Sequence, residues 1–140
     1  MKLMISGSMT FVHDMILLQK KLETLGHIVC LPIGIEPHLK DPSYQDDLDK
    51  NTPELIKEDI MLRNFKQIEV QDGIIILNKK KNGIDGYMGT SMLMEMAIAH
   101  FLEKKIFVMH NIPHYNTHRW AHEVTIMQPV FINEDLKKIM

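Results

Sequence analysis

Short, mostly apolar runs recur along the chain, separated by stretches in which apolar residues are spaced three or four positions apart. The runs lie at residues 2–6, 27–32, 72–78, 105–109 and 129–132, and each predicts a strand. Between the first two, apolar residues fall at positions 11, 15, 18, 22 and 25, which is helical spacing. Residues 91–103 predict a further helix before the fourth strand. Strands and helices are therefore expected to alternate.

The region between the second and third strands predicts a loop and then a helix. Residues 33–52 are polar and contain prolines, a composition typical of a long loop that acts as a lid or is disordered. Thr52 and Pro53 are typical of an N-cap and a first helical turn. We expect five apolar residues to mark the buried side of this helix: Leu55, Ile56, Ile60, Met61 and Phe65.

The third strand, "DGIIILN", shows no alternation of apolar and polar residues, so both of its faces should be covered. Together with the alternating order of elements, this predicts a single domain over residues 1–140. The expected fold class is α/β: a three-layer sandwich on a mainly parallel sheet of five strands. Ligands of such sheets bind at the carboxyl ends of the strands, near the point where strand order reverses.

Composition excludes several function classes. The net charge of -2 gives no bulk attraction to polymeric nucleic acid or to an anionic membrane. The apolar runs are too short to cross a bilayer, and residues 1–9 lack a signal-peptide layout. Cys30 is the one cysteine, so no internal disulfide can form. We therefore expect a cytoplasmic protein.

The first predicted strand ends in "SGSMTF", which leads into a helix. The backbone N–H groups of such a loop suit an anion such as phosphate. The candidate binding residues here are Ser6, Gly7, Ser8 and Met9. The alternative is an ordinary turn with a serine cap, since no standard nucleotide-binding fingerprint is present.

Glu95 is the one acid in "GYMGTSMLMEMAIAH". It follows Ser91 by four residues, whereas a capping box needs three. Its apolar neighbours predict a buried helix. Near the start of that helix, the helix dipole should favour the ionised carboxylate at the ligand edge of the sheet. The alternative is a solvated acid or one paired with another residue.

Other candidates are weaker. Asp59 either reaches the same edge or is one of several surface acids. His114, His118 and His122 recur every four residues, as metal ligands on one helix face can do. No carboxylate or cysteine completes that set, so we predict a polar helix face and no metal site. The three lysines at 79–81 flank the ligand edge and are expected to be solvated, the alternative being that they add positive charge to a phosphate site.

The order of these pieces resembles the nucleoside 2-deoxyribosyltransferase superfamily, which includes the 2'-deoxynucleoside 5'-phosphate N-hydrolases. The likeness covers "LMISGSMTF", the helix aspartate in "IKEDI", the strand "DGIIILN" and, most specifically, "EMAIAHFLEKKIFVM". It implies a doubly wound, flavodoxin- or Rossmann-like parallel sheet. By the resemblance, Glu95 is the catalytic nucleophile and Asp59 supports sugar binding and catalysis.

The resemblance implies cleavage or transfer of the N-glycosidic bond of a nucleoside or nucleoside 5'-monophosphate. Gly89 stands where many of the transferases carry an acid and where the nucleotide hydrolases carry a serine for phosphate. Absence of the transferase acid slightly favours hydrolysis. Met4 and Thr10 replace a tyrosine and an arginine of the nucleotide hydrolases. The substrate-binding residues are expected in two segments: Ser6, Gly7, Ser8 and Met9, and Gly89, Thr90 and Ser91.

The resemblance implies no metal or organic cofactor. It implies a homo-oligomer, a dimer or larger, in which neighbouring subunits complete the site. The alternative function is a non-catalytic nucleotide-binding sensor or regulatory module on the same fold, which has no need of Glu95. A third possibility is a scaffold protein without a ligand. The sequence leaves open the base, ribose versus deoxyribose, and phosphorylation.

Overall fold

The computed structural model describes residues 1–140 and has one parallel sheet of five strands in the order β2-β1-β3-β4-β5. The strands are β1 (Lys2–Gly7), β2 (Ile28–Cys30), β3 (Gly73–Leu77), β4 (Lys105–Val108) and β5 (Val130–Phe131). Every predicted strand is present, with ends shifted by at most a few residues. The predicted Rossmann-like α/β class is confirmed.

Helices cover both faces of the sheet. They are α1 (Val12–Thr24), α2 (Glu36–Lys40), α3 (Leu48–Lys57), α4 (Ile60–Glu69), α5 (Thr90–Phe101) and α6 (Trp120–Met127), with short 3-10 turns at Met9–Phe11, Pro42–Asp46 and Leu136–Lys138. One core lies between the sheet and α1, and a second between the sheet and α4, α5 and α6. All five residues of β3 are buried, as the absence of alternation in "GIIIL" predicts.

Alternation along β1 determines which of its side chains face which core. Leu3 and Ile5 belong to the α1 core, and Met4 belongs to the α5 core. Because successive side chains of a strand point to opposite faces, Ser6 lies on the α5 side. It ends that row as a buried polar residue.

The chain order also determines where a ligand should bind. From β1 the chain proceeds to β2 on one side and then returns to β3 on the other side of β1. The carboxyl ends of β1 and β3 therefore border the reversal point of the sheet, where open α/β sheets form their binding crevice. Ser6 pairs with Ile76 and Gly7 with Leu77 at this edge.

The prediction of an irregular loop over residues 33–52 is wrong. The segment contains α2, a 3-10 turn and the first half of α3. The α3 helix begins at Leu48 instead of near Thr52, because Asp47 accepts a hydrogen bond from the Lys50 amide and so caps it. Pro53 consequently lies inside the helix and not in its first turn.

The predicted helix beyond Thr52 is two helices. Asp59 separates α3 from α4 with a left-handed backbone (φ 50°). The apolar side predicted as buried is largely exposed: Ile56 is 72% exposed and Met61 53%, and Leu55 is also exposed. The residues that α3 and α4 bury are instead Asn51, Asn64 and Ile68.

Helix α5 is also less enclosed than its apolar sequence predicts. It buries one face, formed by Met92, Glu95, Met96 and Ala99. Its outer face is open, and Phe101 at its end is 82% exposed. Met94, on the same outer face, lines a cavity together with Ile56 and Met61, so the apolar surface of α5 continues onto the exposed side of α3 and α4.

Candidate functional site

Glu95 is held at the carboxyl edge of the sheet by both β1 and α5. It is 8% exposed and lies on the buried face of α5 between Met92 and Ala99. The Ser6 hydroxyl, at the end of β1, donates a 2.9 Å hydrogen bond to Glu95 Oε2. The candidate nucleophile and the first loop (residues 6–9) therefore meet, as their placement in the sequence predicts.

Burial raises the pKa of Glu95 to about 7, and the hydrogen bond from Ser6 acts in the opposite direction. The expectation that the helix dipole favours the ionised form is therefore wrong as a net effect. Glu95 is the sixth residue of α5, and the dipole acts mainly within the first turn. Loss of hydration outweighs it, so Glu95 takes up or releases a proton near neutral pH.

Glu95 opens into a cavity of about 450 Å³, which we term the Lys81 cavity. Its lining includes residues 7–9 of the first loop, Lys81, Tyr87 and the start of α5 at residues 89–92. The remainder comes from residues 32–34 and from the polypeptide up to Ile60. All the sequence-predicted binding residues except the buried Ser6 line this cavity, and Ser6 contacts Glu95 directly.

The start of α5 contributes hydrogen-bond donors to the cavity. Gly89 is the N-cap and no side chain caps the helix, so N–H groups of the first turn have no side-chain acceptor. Thr90 and Ser91 follow and add hydroxyl groups at the cavity lining. An N-terminus with free N–H groups next to hydroxyls favours a negatively charged or carbonyl-rich ligand group.

Lys81 is positioned by a tight turn. Asn82 and Gly83 both have positive φ, and Lys81 and Ile84 exchange two backbone hydrogen bonds of 3.2 and 3.0 Å. This is the geometry of a type I′ turn, which Asn-Gly favours. The Lys81 ammonium consequently reaches across to the first loop and donates a 3.0 Å hydrogen bond to Ser8 Oγ.

The three consecutive lysines have different partners. Lys79 forms a 3.1 Å ion pair with Asp14, and Lys80 is highly exposed and lies 3.9 Å from Asp85. Lys81 bonds only a hydroxyl, so its charge is free to meet a ligand. Lys79 and Lys81 are half-buried and bonded, so the prediction that all three are solvated holds only for Lys80. Sequence spacing gives no signal that separates Lys81 from its neighbours.

Asn78, at the end of β3, anchors the segment that carries Lys81. Its side chain donates to His110 O (2.8 Å) and Gly86 O (3.4 Å) and accepts from His110 N (2.9 Å). Gly86 lies so close to Asn111 that a Cβ would be 2.0 Å from the Asn111 carbonyl oxygen. The segment between β3 and α5 is thus tied to the end of β4.

Asp59 and Glu95 line a second cavity of about 410 Å³, which we term the Asp59 cavity. No hydrogen bond joins the two acids. The lining is mostly apolar, with Ile56, Met61 and Phe65 among its residues. Glu95 and Ser91 line both cavities. The structure therefore brings Asp59 close to the candidate site, although it lies at the exposed α3–α4 junction.

His38 is a cavity residue that the sequence did not indicate. It lies on α2, is 7% exposed and borders the Lys81 cavity. Its ring stacks edge-on against Tyr44 with a centroid distance of 5.0 Å. Burial lowers the pKa of His38. No spacing signal marks His38, because it falls in the segment predicted as an irregular loop.

The histidine stripe predicted on one helix is not formed. Helix α6 begins at Trp120, so His114 and His118 precede it and only His122 lies on it. His114 and His122 instead both contact the ring of Tyr115, the first in a tilted and the second in an edge-on arrangement (4.1 and 5.6 Å between ring centroids). No group of three or more histidine, cysteine or acidic side chains is placed to bind a metal ion.

The largest cavity, about 950 Å³, lies beside residues 31–63 and contains neither Glu95 nor Asp59. Its charged lining has both signs, including Lys50, Glu54 and Arg63. No buried ionisable group with a raised pKa faces it. The Lys81 cavity is smaller, but it contains Glu95, whose pKa burial raises strongly, together with the predicted binding residues of the first loop and the start of α5. We therefore place the candidate site there.

Comparison of the chain with protein family models, with curated proteins and with solved structures gives no match. The family resemblance of the sequence therefore stays a prediction. None of the helices has the length and apolar character needed to span a membrane.

Proposed function

We propose that this chain cleaves or transfers the N-glycosidic bond of a nucleoside or nucleoside 5'-monophosphate, with Glu95 as the nucleophile and hydrolysis as the favoured reaction. The observation that carries the proposal is the buried Glu95, hydrogen-bonded to Ser6 at the reversal point of the sheet with a pKa of about 7. A buried carboxyl group with a strongly perturbed pKa in a cavity is typical of a catalytic residue.

The chemistry follows from the environment of Glu95. N-glycosidic cleavage develops positive charge at the anomeric carbon of the sugar. In the poorly hydrated cavity, the Glu95 carboxylate is attracted to this charge and attacks the carbon, and the base leaves with the bonding electrons. Water then displaces the carboxylate in a hydrolase, or a second base does so in a transferase.

Substrate binding is assigned to the two flanks of Glu95. Lys81, Ser8 and the first turn of α5 offer a positive charge, hydroxyls and N–H groups. This set suits a phosphate, and it favours a nucleoside 5'-monophosphate over an uncharged nucleoside. Asp59, in the adjoining cavity, is proposed to orient the sugar or the nucleophile, the role that the family resemblance implies.

Base release tests the proposal. Purified protein is incubated with ribo- and deoxyribonucleosides and their 5'-monophosphates, with and without an acceptor base, and free base is followed by chromatography. The expected result is release from at least one compound that is abolished in Glu95→Gln. The matched control is Glu23→Gln, which changes an exposed acid on α1. Undiminished release by Glu95→Gln contradicts the role of Glu95.

The alternative is a nucleotide sensor, which the Lys81–Ser8 contact also supports because it does not involve Glu95. A sensor predicts a thermal shift with one nucleotide and no base release from any compound, since a ligand that binds only the folded state stabilises it. A protein without a nucleotide ligand predicts neither a shift nor release. The same panel of compounds distinguishes these cases.

We further propose that the chain forms a homo-oligomer through the open face of α3, α4 and α5. The exposed apolar side chains of Ile56, Met61 and Met94 lie together on these helices. Such a patch on a small domain is typical of an interaction surface. Ile56 and Met61 also line the Asp59 cavity, so a second copy bound there would close the open side of the site.

A further inference from the structure

His38 combines burial with an unmet hydrogen-bonding requirement. Its ring is enclosed by the polypeptide and stacked on Tyr44, yet His38 Nδ1 has no hydrogen-bond partner. It is the one buried side-chain nitrogen or oxygen in the protein without one. An unpaired buried polar atom destabilises the folded state, so its presence at a cavity calls for an explanation.

The neighbouring Asn51, unlike His38, has hydrogen-bond partners for its buried side chain. Asn51 also lines the Lys81 cavity and is buried, but its amide donates to Tyr44 O at 3.0 Å and to Gln45 O at 3.3 Å. Asn51 therefore holds the turn between α2 and α3 in place. His38 makes no side-chain hydrogen bond: its Nδ1 is fully enclosed, and its Nε2, which is unpaired but not enclosed, is the nitrogen that can meet a ligand.

The position of His38 relative to the other cavity groups indicates which part of a ligand it meets. Lys81, Ser8 and the start of α5 suit an anionic group, and Glu95 suits the anomeric carbon. The rest of the lining comes from the polypeptide between Pro32 and Ile60. A nucleotide bound through its phosphate and sugar leaves its base for this part of the cavity.

We propose that His38 is a catalytic residue that hydrogen-bonds the departing base. The inference rests on the proposed function of the site and extends it to the leaving group. Glu95 forms a bond to the anomeric carbon as the carbon–nitrogen bond breaks, and the electron pair passes to the base. The Nε2–H of His38 donates to the base as it gains this electron density, which stabilises the transition state more than the bound substrate.

No net proton transfer from His38 is required. In hydrolysis the attacking water supplies a hydroxyl group to the sugar and a proton to the base, so atoms and charge balance. A neutral imidazole carries one N–H donor. Burial lowers the pKa of His38 and so favours this neutral form. The aromatic stack on Tyr44 restrains the orientation of the ring.

The test compares two leaving groups in two variants. His38→Phe keeps an aromatic ring against Tyr44 but removes both nitrogens, and His13→Phe is the control because His13 is exposed on α1. Each protein is assayed with the nucleotide that wild type cleaves fastest and with a counterpart whose base leaves more readily. That counterpart is an N7-methylated purine for a purine substrate, or 5-fluorouracil for a pyrimidine.

We expect His38→Phe to lower kcat about 100-fold on the ordinary base, within the range for general-acid groups. The loss should be much smaller on the activated base, which needs little stabilisation. His38→Gln retains an N–H donor and should recover part of the rate. It also provides a test if His38→Phe does not fold. His38→Phe should raise the Tm of the ligand-free protein, because it removes the unpaired nitrogen.

The outcomes separate the two proposals. Equal losses of kcat on both bases, or no loss on either, overturn the role of His38 while the glycosidase function stands. Absence of base release by wild type overturns the proposed function, and the inference about His38 with it. A loss that appears only in KM would assign His38 to binding and overturn its role in base departure.

Discussion

The Ser6 hydroxyl donates a 2.9 Å hydrogen bond to the carboxylate of Glu95, a residue 89 positions further along the chain. One partner ends the first strand and the other lies on the buried face of α5. The pair joins the two elements that border the reversal point of the sheet. It also makes the ionisation of Glu95 responsive to a single neighbouring hydroxyl.

Glu95→Gln is expected to abolish activity and to stabilise the protein at alkaline pH. The pKa of Glu95 is raised from 4.5 to about 7 in the folded state, so folded Glu95 holds its proton over a range in which unfolded Glu95 has lost it. The free energy of unfolding of the wild type therefore falls as pH rises from about 4.5 to 7. Glutamine removes this loss, which amounts to about 3 kcal/mol.

Urea denaturation at pH 5 and pH 8 measures this effect. The free energy of unfolding of Glu95→Gln should exceed that of wild type by much more at pH 8 than at pH 5. Glu23→Gln should show no such difference. An equal effect of Glu95→Gln at the two pH values would contradict a raised pKa.

Ser6→Ala should shift the pH dependence of kcat/KM to higher pH. The Ser6 hydrogen bond lowers the pKa of Glu95, so its loss raises that pKa further above the ordinary range. If the ionised form is the nucleophile, kcat/KM rises with pH through the pKa of Glu95, and this rise should lie at higher pH in the variant. Rate profiles with an uncharged nucleoside avoid titration of a phosphate, and an unchanged profile would refute the coupling.

Lys81→Gln should weaken binding of a nucleoside 5'-monophosphate and leave binding of the nucleoside unchanged. Loss of a charge-assisted hydrogen bond corresponds to about a 10- to 100-fold rise in Kd. Calorimetry in a Glu95→Gln background measures both Kd values without turnover. Lys80→Gln is the matched control, because Lys80 is highly exposed. Equal weakening of both ligands would exclude a phosphate contact.

Asp59→Asn should remove the negative charge of Asp59 while keeping its left-handed backbone conformation. Asp59 has a left-handed backbone between α3 and α4, and asparagine tolerates this conformation well. We expect kcat/KM to fall about 100-fold with little change in Tm. Glu58→Gln, at the preceding exposed acid, should leave kcat/KM unchanged. Full activity of Asp59→Asn would remove Asp59 from the catalytic site.

Met61→Glu should dissociate the proposed oligomer. Met61 is exposed on α4 and lines the Asp59 cavity, and a buried unpaired charge at an interface is strongly unfavourable. Sedimentation velocity of wild type and variant gives the subunit number. Leu17→Glu is the control on α1, on the other face of the sheet. A monomeric wild type would show that no oligomer forms.

The sheet and the central part of the site follow from local sequence patterns. Unbroken apolar runs such as "GIIIL" predict strands buried on both faces, and these strands determine the edge at which the first loop lies. Glu95 stands out because it is a lone acid among apolar residues. These signals come from short-range periodicity and composition, which a single sequence records well.

The region between β2 and β3 was harder to predict because its structure depends on contacts between distant polar groups. Thr52 and Pro53 match a helix start, but capping by Asp47 begins α3 earlier. Nothing in the periodicity marks the left-handed backbone at Asp59. Apolar residues do recur at helical spacing along α3 and α4, but their side chains point away from the core of the chain. Spacing alone predicts that one side of a helix is apolar and does not say which surface covers it.

Residues 33–57 have a small packing centre of their own. His38 contacts Tyr44 edge-on, and Asn51 donates to the backbone of the 3-10 turn that contains Tyr44. None of these three residues belongs to either hydrophobic core. The part of the cavity assigned to the base is thus packed largely within this segment, which meets the main framework through Ile35 against the α1 core and Ile33 bonded to Asn64. Sequence changes within residues 33–57 can consequently alter which base is preferred, while the reactive carboxylate of Glu95 stays in place.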